Sequence, residues 1–119
     1  MAPDRRELGR AGEDAACAFL EDDGFEIVAR NWRVRAGEID IIARRGGLTV
    51  FAEVKSRTST AFGEPEESVT PQKARRLRAL ATEYLSDSNV HGDVRFDVIA
   101  VMLDRSGGVS SIRHIPDAF

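Results

Sequence analysis

Two short stretches hold the residues best suited to chemistry. Gly37-Glu38-Ile39-Asp40-Ile41-Ile42-Ala43-Arg44 and Leu48-Thr49-Val50-Phe51-Ala52-Glu53-Val54-Lys55 flank Arg45-Gly46-Gly47. A Gly-Gly pair between alternating apolar residues signals a tight hairpin, because both turn positions can take positive φ. A two-residue turn there sets Asp40 opposite Glu53 and Glu38 opposite Lys55. Side chains alternate with a period of two, so all four would share one face. Opposed carboxylates repel at a Cβ separation of roughly 4.5–5.5 Å. A divalent cation between Asp40 and Glu53 turns that repulsion into ligation. Mg²⁺ suits such a pair, since it binds through one or two carboxylates and keeps several waters. Lys55 beside it could orient or deprotonate an attacking water. The chemistry in view is metal-assisted hydrolysis.

A strand with one solvated face also alternates charge with apolar residues and needs no function. Here Ile39, Ile41, Val50, Ala52 and Val54 already fill one face, yet Ile42 and Phe51 stand on the charged side. A partly apolar charged face favours a site. A bulge in the hairpin would shift the register and undo the alignment.

The elements that must hold this hairpin are legible on either side. A helix over about Asp4 to Asp23 carries the apolar stripe Leu8, Ala11, Gly12, Ala15, Ala16, Phe19 and Leu20. Gly9 and Gly12 inside it suggest close approach by another backbone, or packing on the sheet without room for a side chain, and Glu13 lies at the border of the stripe. Phe25 to Arg30 reads as a strand, joined to the hairpin through residues 31–37. Ser56 to Ser68 is a polar loop. Thr70-Pro71 opens a second helix, with Thr70 as N-cap and Pro71 in its first position. Val94 to Leu103 is the most apolar strand and the expected central one; Val109 to Ile115 is a weaker last strand. The order α-β-β-β-α-β-β predicts an α/β fold, a mixed sheet flanked by helices, over one domain spanning residues 1–119.

Net charge is −3, but its distribution is uneven. Residues 1–29 sum to −5, residues 30–57 to +4, and residues 73–78 to +4. Positive charge therefore gathers on the segment bearing the carboxylates and on the start of the second helix. Basic residues there oppose the macrodipole, which favours a role in binding anions. Arg33, Arg35, Arg57, Lys73, Arg75 and Arg76 are the candidates for holding a nucleic-acid backbone. One cysteine, Cys17, precludes an internal disulfide and suits a cytoplasmic setting. No apolar run is long enough to span a membrane, so no membrane role is expected. Cys17, His91 and His114 lack the spacing of a zinc site or a thiol nucleophile.

The pattern as a whole resembles the PD-(D/E)xK nuclease superfamily, with Asp40 thirteen residues before Glu53-Val54-Lys55. It is most similar to the small bacterial YraN-type proteins, relatives of archaeal Holliday junction resolvases. The shared segments are Gly9-Arg10-Ala11-Gly12-Glu13, Asn31-Trp32-Arg33, Gly37-Glu38-Ile39-Asp40, Phe51 through Arg57, Thr70-Pro71-Gln72-Lys73 and Arg95-Phe96-Asp97-Val98. The resemblance implies a restriction-endonuclease-like αβββαβ core with an extra C-terminal strand. It also implies that Glu13, Asp40 and Glu53 hold Mg²⁺ or Mn²⁺ and that Lys55 assists catalysis. Ile39 stands where the superfamily has Pro, and Gln72 resembles an accessory helical Gln whose later Tyr partner is missing at Arg76. The implied activity is a metal-dependent endonuclease on DNA, branched DNA included, and the implied assembly is a homodimer. Two other readings use the same scaffold: a non-catalytic nucleic-acid-binding module, and a protein adaptor using the acidic first helix and the loop at Gly63-Glu64-Pro65-Glu66-Glu67.

Overall fold

The structure is a computed structural model that describes residues 3–58 and 69–119. Most of the predicted polar loop, including Gly63 to Glu67, lies outside the described residues. Seven elements follow the expected order: α1 (Arg5–Asp22), β1 (Glu26–Val34), β2 (Gly37–Arg45), β3 (Leu48–Arg57), α2 (Pro71–Ser88), β4 (Asp93–Leu103) and β5 (Val109–Ile115). The five strands form one mixed sheet in sequence order. β1, β2 and β3 pair antiparallel, β3 and β4 pair parallel, and β5 returns antiparallel to β4. The fold is α/β, in agreement with a restriction-endonuclease-like core carrying an added C-terminal strand. β4 is an interior strand, bonded on both sides, while β3 is the middle one.

Each helix covers one face of the sheet. Ala16, Cys17 and Leu20 of α1 pack with Ile41, Ala43, Val50, Ala52, Ile99 and Val101. Leu77, Leu80, Ala81 and Tyr84 of α2 pack with Ile42, Phe51 and Phe96. The Thr70 hydroxyl caps α2 as the sequence predicts, accepting the Lys73 N–H at 3.1 Å, and the Asp4 carboxylate caps α1, accepting the Glu7 N–H at 2.9 Å. Between the strands of the hairpin, Gly46 takes φ 58°, and Arg45 pairs with Leu48 as a two-residue turn requires.

Three expectations need correction. The first strand does not end at Arg30. Asn31 adopts a left-handed φ of 51°, which turns the chain without leaving the sheet, and β1 continues to Val34. The Trp32 that follows packs edge-on against Tyr84 at 5.5 Å within the α2-side core. Likewise, Ser56 and Arg57 belong to β3, not to a loop, because they extend the parallel ladder opposite Val101 and Met102. Of the two helix glycines, only Gly12 makes a close approach: a Cβ there would lie 1.7 Å from Ser56 Oγ, whereas at Gly9 it would meet nothing within 4 Å.

A polar knot fixes the far side of the sheet. Asp97 is fully buried and accepts from Arg95 Nε and Nη2 at 2.9 Å each and from the Asp117 N–H at 3.0 Å; His114 Nε2 lies 2.6 Å from it. Burial works to raise its pKa, but these partners overcome it and hold the carboxyl below the ordinary value. Asp97 is thus a structural acceptor.

Candidate active site

The site forms where β2 and β3 part. Their ladder keeps the predicted register from Arg45–Leu48 to Ile41–Ala52 and then ends. Beyond that pair the Asp40 carboxylate accepts the Val54 N–H at 2.9 Å, taking the place of a strand partner. Strict alternation breaks at the same point. Ile41 packs on the α1 side, but both Ile39 and Ile42 pack on the α2 side. Ile39 therefore does not share the face of Ile41, and the expected facing of Glu38 and Lys55 is not formed. Glu38 instead accepts from Arg33 Nε at 3.0 Å across the β1–β2 pair, where the two residues are in register.

Around Asp40 the charges converge. Burial, then the neighbouring Glu53, raise its pKa from 3.8 to about 7, against the Val54 hydrogen bond; Glu13 and Glu38 add smaller upward pushes. Glu53 is held by two ammonium groups, with Lys55 Nζ 3.5 Å and Lys73 Nζ 3.2 Å from its Oε1. Burial, and then contact with Lys73, lower the Lys55 pKa, with Glu53 opposing. Burial also works against the Lys73 charge, yet Lys55, Glu53 and Asp40 leave its pKa raised. The sequence placed Lys73 among backbone-holding residues; the fold brings it into the carboxylate cluster because α2 begins directly beside β3. No motif in the sequence marked that proximity.

A cleft of about 340 Å³ opens over this cluster, lined by Ala36, Gly37, Glu38, Asp40, Glu53, Lys73, Arg76 and Leu77. Arg76 thus lies on its rim. Arg35 and Arg75 are exposed nearby in sequence, and Gln72 is exposed on the first turn of α2. Arg33 is occupied by Glu38. Arg57 lines a different cavity, at the end of β3. Glu13 is half-buried on α1 with Oε1 3.9 Å from Arg30 Nη2, within electrostatic reach of Asp40. Among the described residues no three His, Cys, Asp or Glu side chains form a ready metal cage. Asp40 and Glu53 still fit one hard cation. Two half-buried carboxylates in one cleft, with Glu53 raising the pKa of Asp40, have the donor chemistry that Mg²⁺ or Mn²⁺ takes while keeping its own waters.

The rejected alternatives stay rejected on physical grounds. Cys17 is buried in the α1-side core, and burial pushes its thiol pKa up, which leaves it unreactive. His114 is engaged by Asp97. Among the described residues no helix is long and apolar enough to cross a membrane.

Comparison with known proteins places the chain among close relatives. Residues 12–101 match the model of the family described as uncharacterised protein family UPF0102. The chain is 50% identical over 113 residues to a UPF0102 protein of Rhodococcus jostii (strain RHA1), covering 94% of this chain and 95% of that relative. It is 45% identical over 120 residues to a UPF0102 protein of Pelotomaculum thermopropionicum, with both chains covered in full. A Moorella thermoacetica UPF0102 protein is 48% identical over the same length. The matched span contains every carboxylate and lysine of the cleft, and on this evidence the chain belongs to the UPF0102 family.

Proposed function

We propose that this protein is a metal-dependent endonuclease that hydrolyses phosphodiester bonds of DNA. The observation that carries the reading is the pairing of Asp40 with Glu53, two carboxylates that share one cleft and interact electrostatically there, with Lys73 on Glu53 and Arg76 and Glu38 also in the lining. Asp40 and Glu53 would hold Mg²⁺ or Mn²⁺, with Glu13 close enough to add to their negative field. The bound ion would supply charge neutralisation at the phosphoryl oxygens and a polarised water.

The protein's own groups complete the reaction. Lys55, with its lowered pKa, is the group suited to take the proton of the attacking water. The water oxygen forms a new bond to phosphorus, the opposite P–O ester bond breaks, and the leaving oxygen is protonated from solvent. Lys73 and Arg76 would neutralise phosphate charge at the cleft, and Arg35 and Arg75 would draw the backbone toward it.

A second reading has its own support. Among the described residues, no ion pair joins Arg35, Arg75 or Arg76 to a carboxylate, so they are free to hold phosphates whether or not anything is cut. Cleavage of a four-way junction, flap, single strand and duplex with Mg²⁺ or Mn²⁺ separates the two. Metal-dependent cutting absent in Asp40→Ala and Glu53→Ala is the expected result. Salt-sensitive binding with no cutting on any substrate favours a non-catalytic binding module.

A further inference from the structure

A second cavity, of about 460 Å³, opens where the carboxyl ends of β3 and β4 meet the first turns of α1. Arg5, from α1, and Arg57, from the last position of β3, both line it, together with the hydroxyl residues Ser56 and Thr58. Among the described residues neither arginine side chain has an ion pair or hydrogen bond. Two uncompensated guanidinium groups on one cavity repel each other and are relieved by an anion. Their forked donors match a phosphate, and hydroxyl groups can add donors. Crevices beyond the carboxyl ends of parallel strands are also where sheets of this class receive ligands.

Gly9 supplies an independent observation. It sits inside α1, where glycine weakens a helix, and no neighbour requires it, since an added Cβ would meet nothing within 4 Å. Gly9 lines this cavity. What the missing side chain provides is room.

The position is as telling as the chemistry. Arg57 follows Lys55 by two residues on β3, a rise of roughly 6.5 Å. Gly9 precedes Glu13 by one turn of α1. The cavity thus shares β3 and α1 with Glu53, Lys55 and Glu13 of the carboxylate site.

We propose that this cavity is a phosphate subsite for the backbone of a nucleic-acid strand, with Arg5 and Arg57 as its cationic clamp. Its place beside the scissile bond rests on the endonuclease reading; phosphate binding in it does not. The test measures anisotropy of a short fluorescein-labelled DNA, single-stranded and duplex, without divalent metal and across a salt series. The proteins are wild type, Arg5→Ala/Arg57→Ala and Gly9→Glu, each checked for folding by thermal melting. Gly9→Glu places a carboxylate in the cavity without a backbone clash and with a better helix former, so it serves if the arginine pair fails to fold. The expected result is about tenfold weaker binding in both variants, with the slope of log affinity against log salt reduced by about one to two in the arginine pair. Unchanged affinity and slope in folded variants would overturn the subsite. So would a wild type that ignores DNA yet is stabilised by inorganic phosphate through Arg57, which would make this a free-phosphate site. Weakened binding with no cleavage by wild type leaves the subsite standing and removes the nuclease. Normal Mg²⁺-dependent cleavage with unaltered binding in the variants does the reverse.

Discussion

Lys73 Nζ, from the first turn of α2, lies nearer to Glu53 Oε1 than does Lys55 Nζ, the motif lysine two residues away on the same strand (3.2 against 3.5 Å). One carboxylate oxygen is therefore shared by two ammonium groups from different elements. Lys73 also holds the Lys55 pKa down, after burial itself. Lys73→Met should let the Lys55 pKa rise, so that the rising limb of the pH–rate profile moves to higher pH and cleavage near neutrality falls by about ten- to a hundredfold. Single-turnover cleavage between pH 6 and 10, roughly the window a perturbed lysine spans, measures the shift. A profile that loses height without moving would remove Lys73 from this role.

Asp40 makes folding stability depend on pH in an unusual direction. Its folded pKa of about 7 exceeds the ordinary 3.8, so the folded chain binds the extra proton. Stability from this group is present below the unfolded value and is lost as pH rises toward 7. Asp40→Asn keeps an acceptor for the Val54 N–H and cannot ionise. It should melt higher than wild type at pH 8 in EDTA, by about 1–3 kcal/mol given partial exposure and coupling, and should show no advantage near pH 4. Equal melting at both values would contradict the raised pKa.

Metal should act on the same balance. A ligand at a hundred times its Kd stabilises the folded state by about 2.7 kcal/mol. Mg²⁺ or Mn²⁺ should raise the wild-type Tm by several degrees at pH 8, and less at pH 6, where Asp40 keeps its proton and must release it to bind. Asp40→Asn and Glu53→Gln should each lose most of that shift. Calorimetry in two buffers of different ionisation enthalpy would count the protons released.

The hairpin was legible because its signals are local. Gly46-Gly47 fixes the turn, the turn fixes the register as far as Ile41–Ala52, and Asp40 and Glu53 follow directly beyond that last pair. The start of α2 at Thr70 was legible for the same reason, since capping chemistry sits within four residues, while α1 was legible from its apolar stripe. What escaped the sequence is where neighbours from elsewhere override a local rule. Asn31 has an ordinary side chain but a left-handed backbone, so β1 runs longer than its apolar pattern. Alternation fails between Ile39 and Ile42 because the Asp40 side chain replaces a ladder partner at Val54. Lys73 reached the cluster through the packing of α2, which no spacing within α2 encodes.

Gly12 of α1 leaves no room for a side chain against Ser56 of β3, and its substitution should be costly. An alanine Cβ would stand 1.7 Å from Ser56 Oγ and 2.8 Å from Ser56 Cβ. Gly12→Ala should destabilise by about 1–3 kcal/mol despite its better helix propensity. Ser56→Gly in the same chain removes both clashing atoms and should restore part of the loss. A double-mutant cycle by urea denaturation gives the coupling, and additive effects would mean the clash is relieved elsewhere.

The parallel pairing of β3 with β4 has a consequence for the order in which the chain acquires its parts. Asp40 and Glu53 belong to one hairpin closed by two residues, a contact that forms early and independently of distant chain. Lys73 takes its place only when α2 docks, and α2 lies within the crossover that a parallel strand demands. Closing that long connection is the slower step. During folding the two acids would thus meet before either the lysine of α2 or the cover of its apolar face arrives, leaving an interval in which the hairpin is assembled and Glu53 has Lys55 without Lys73.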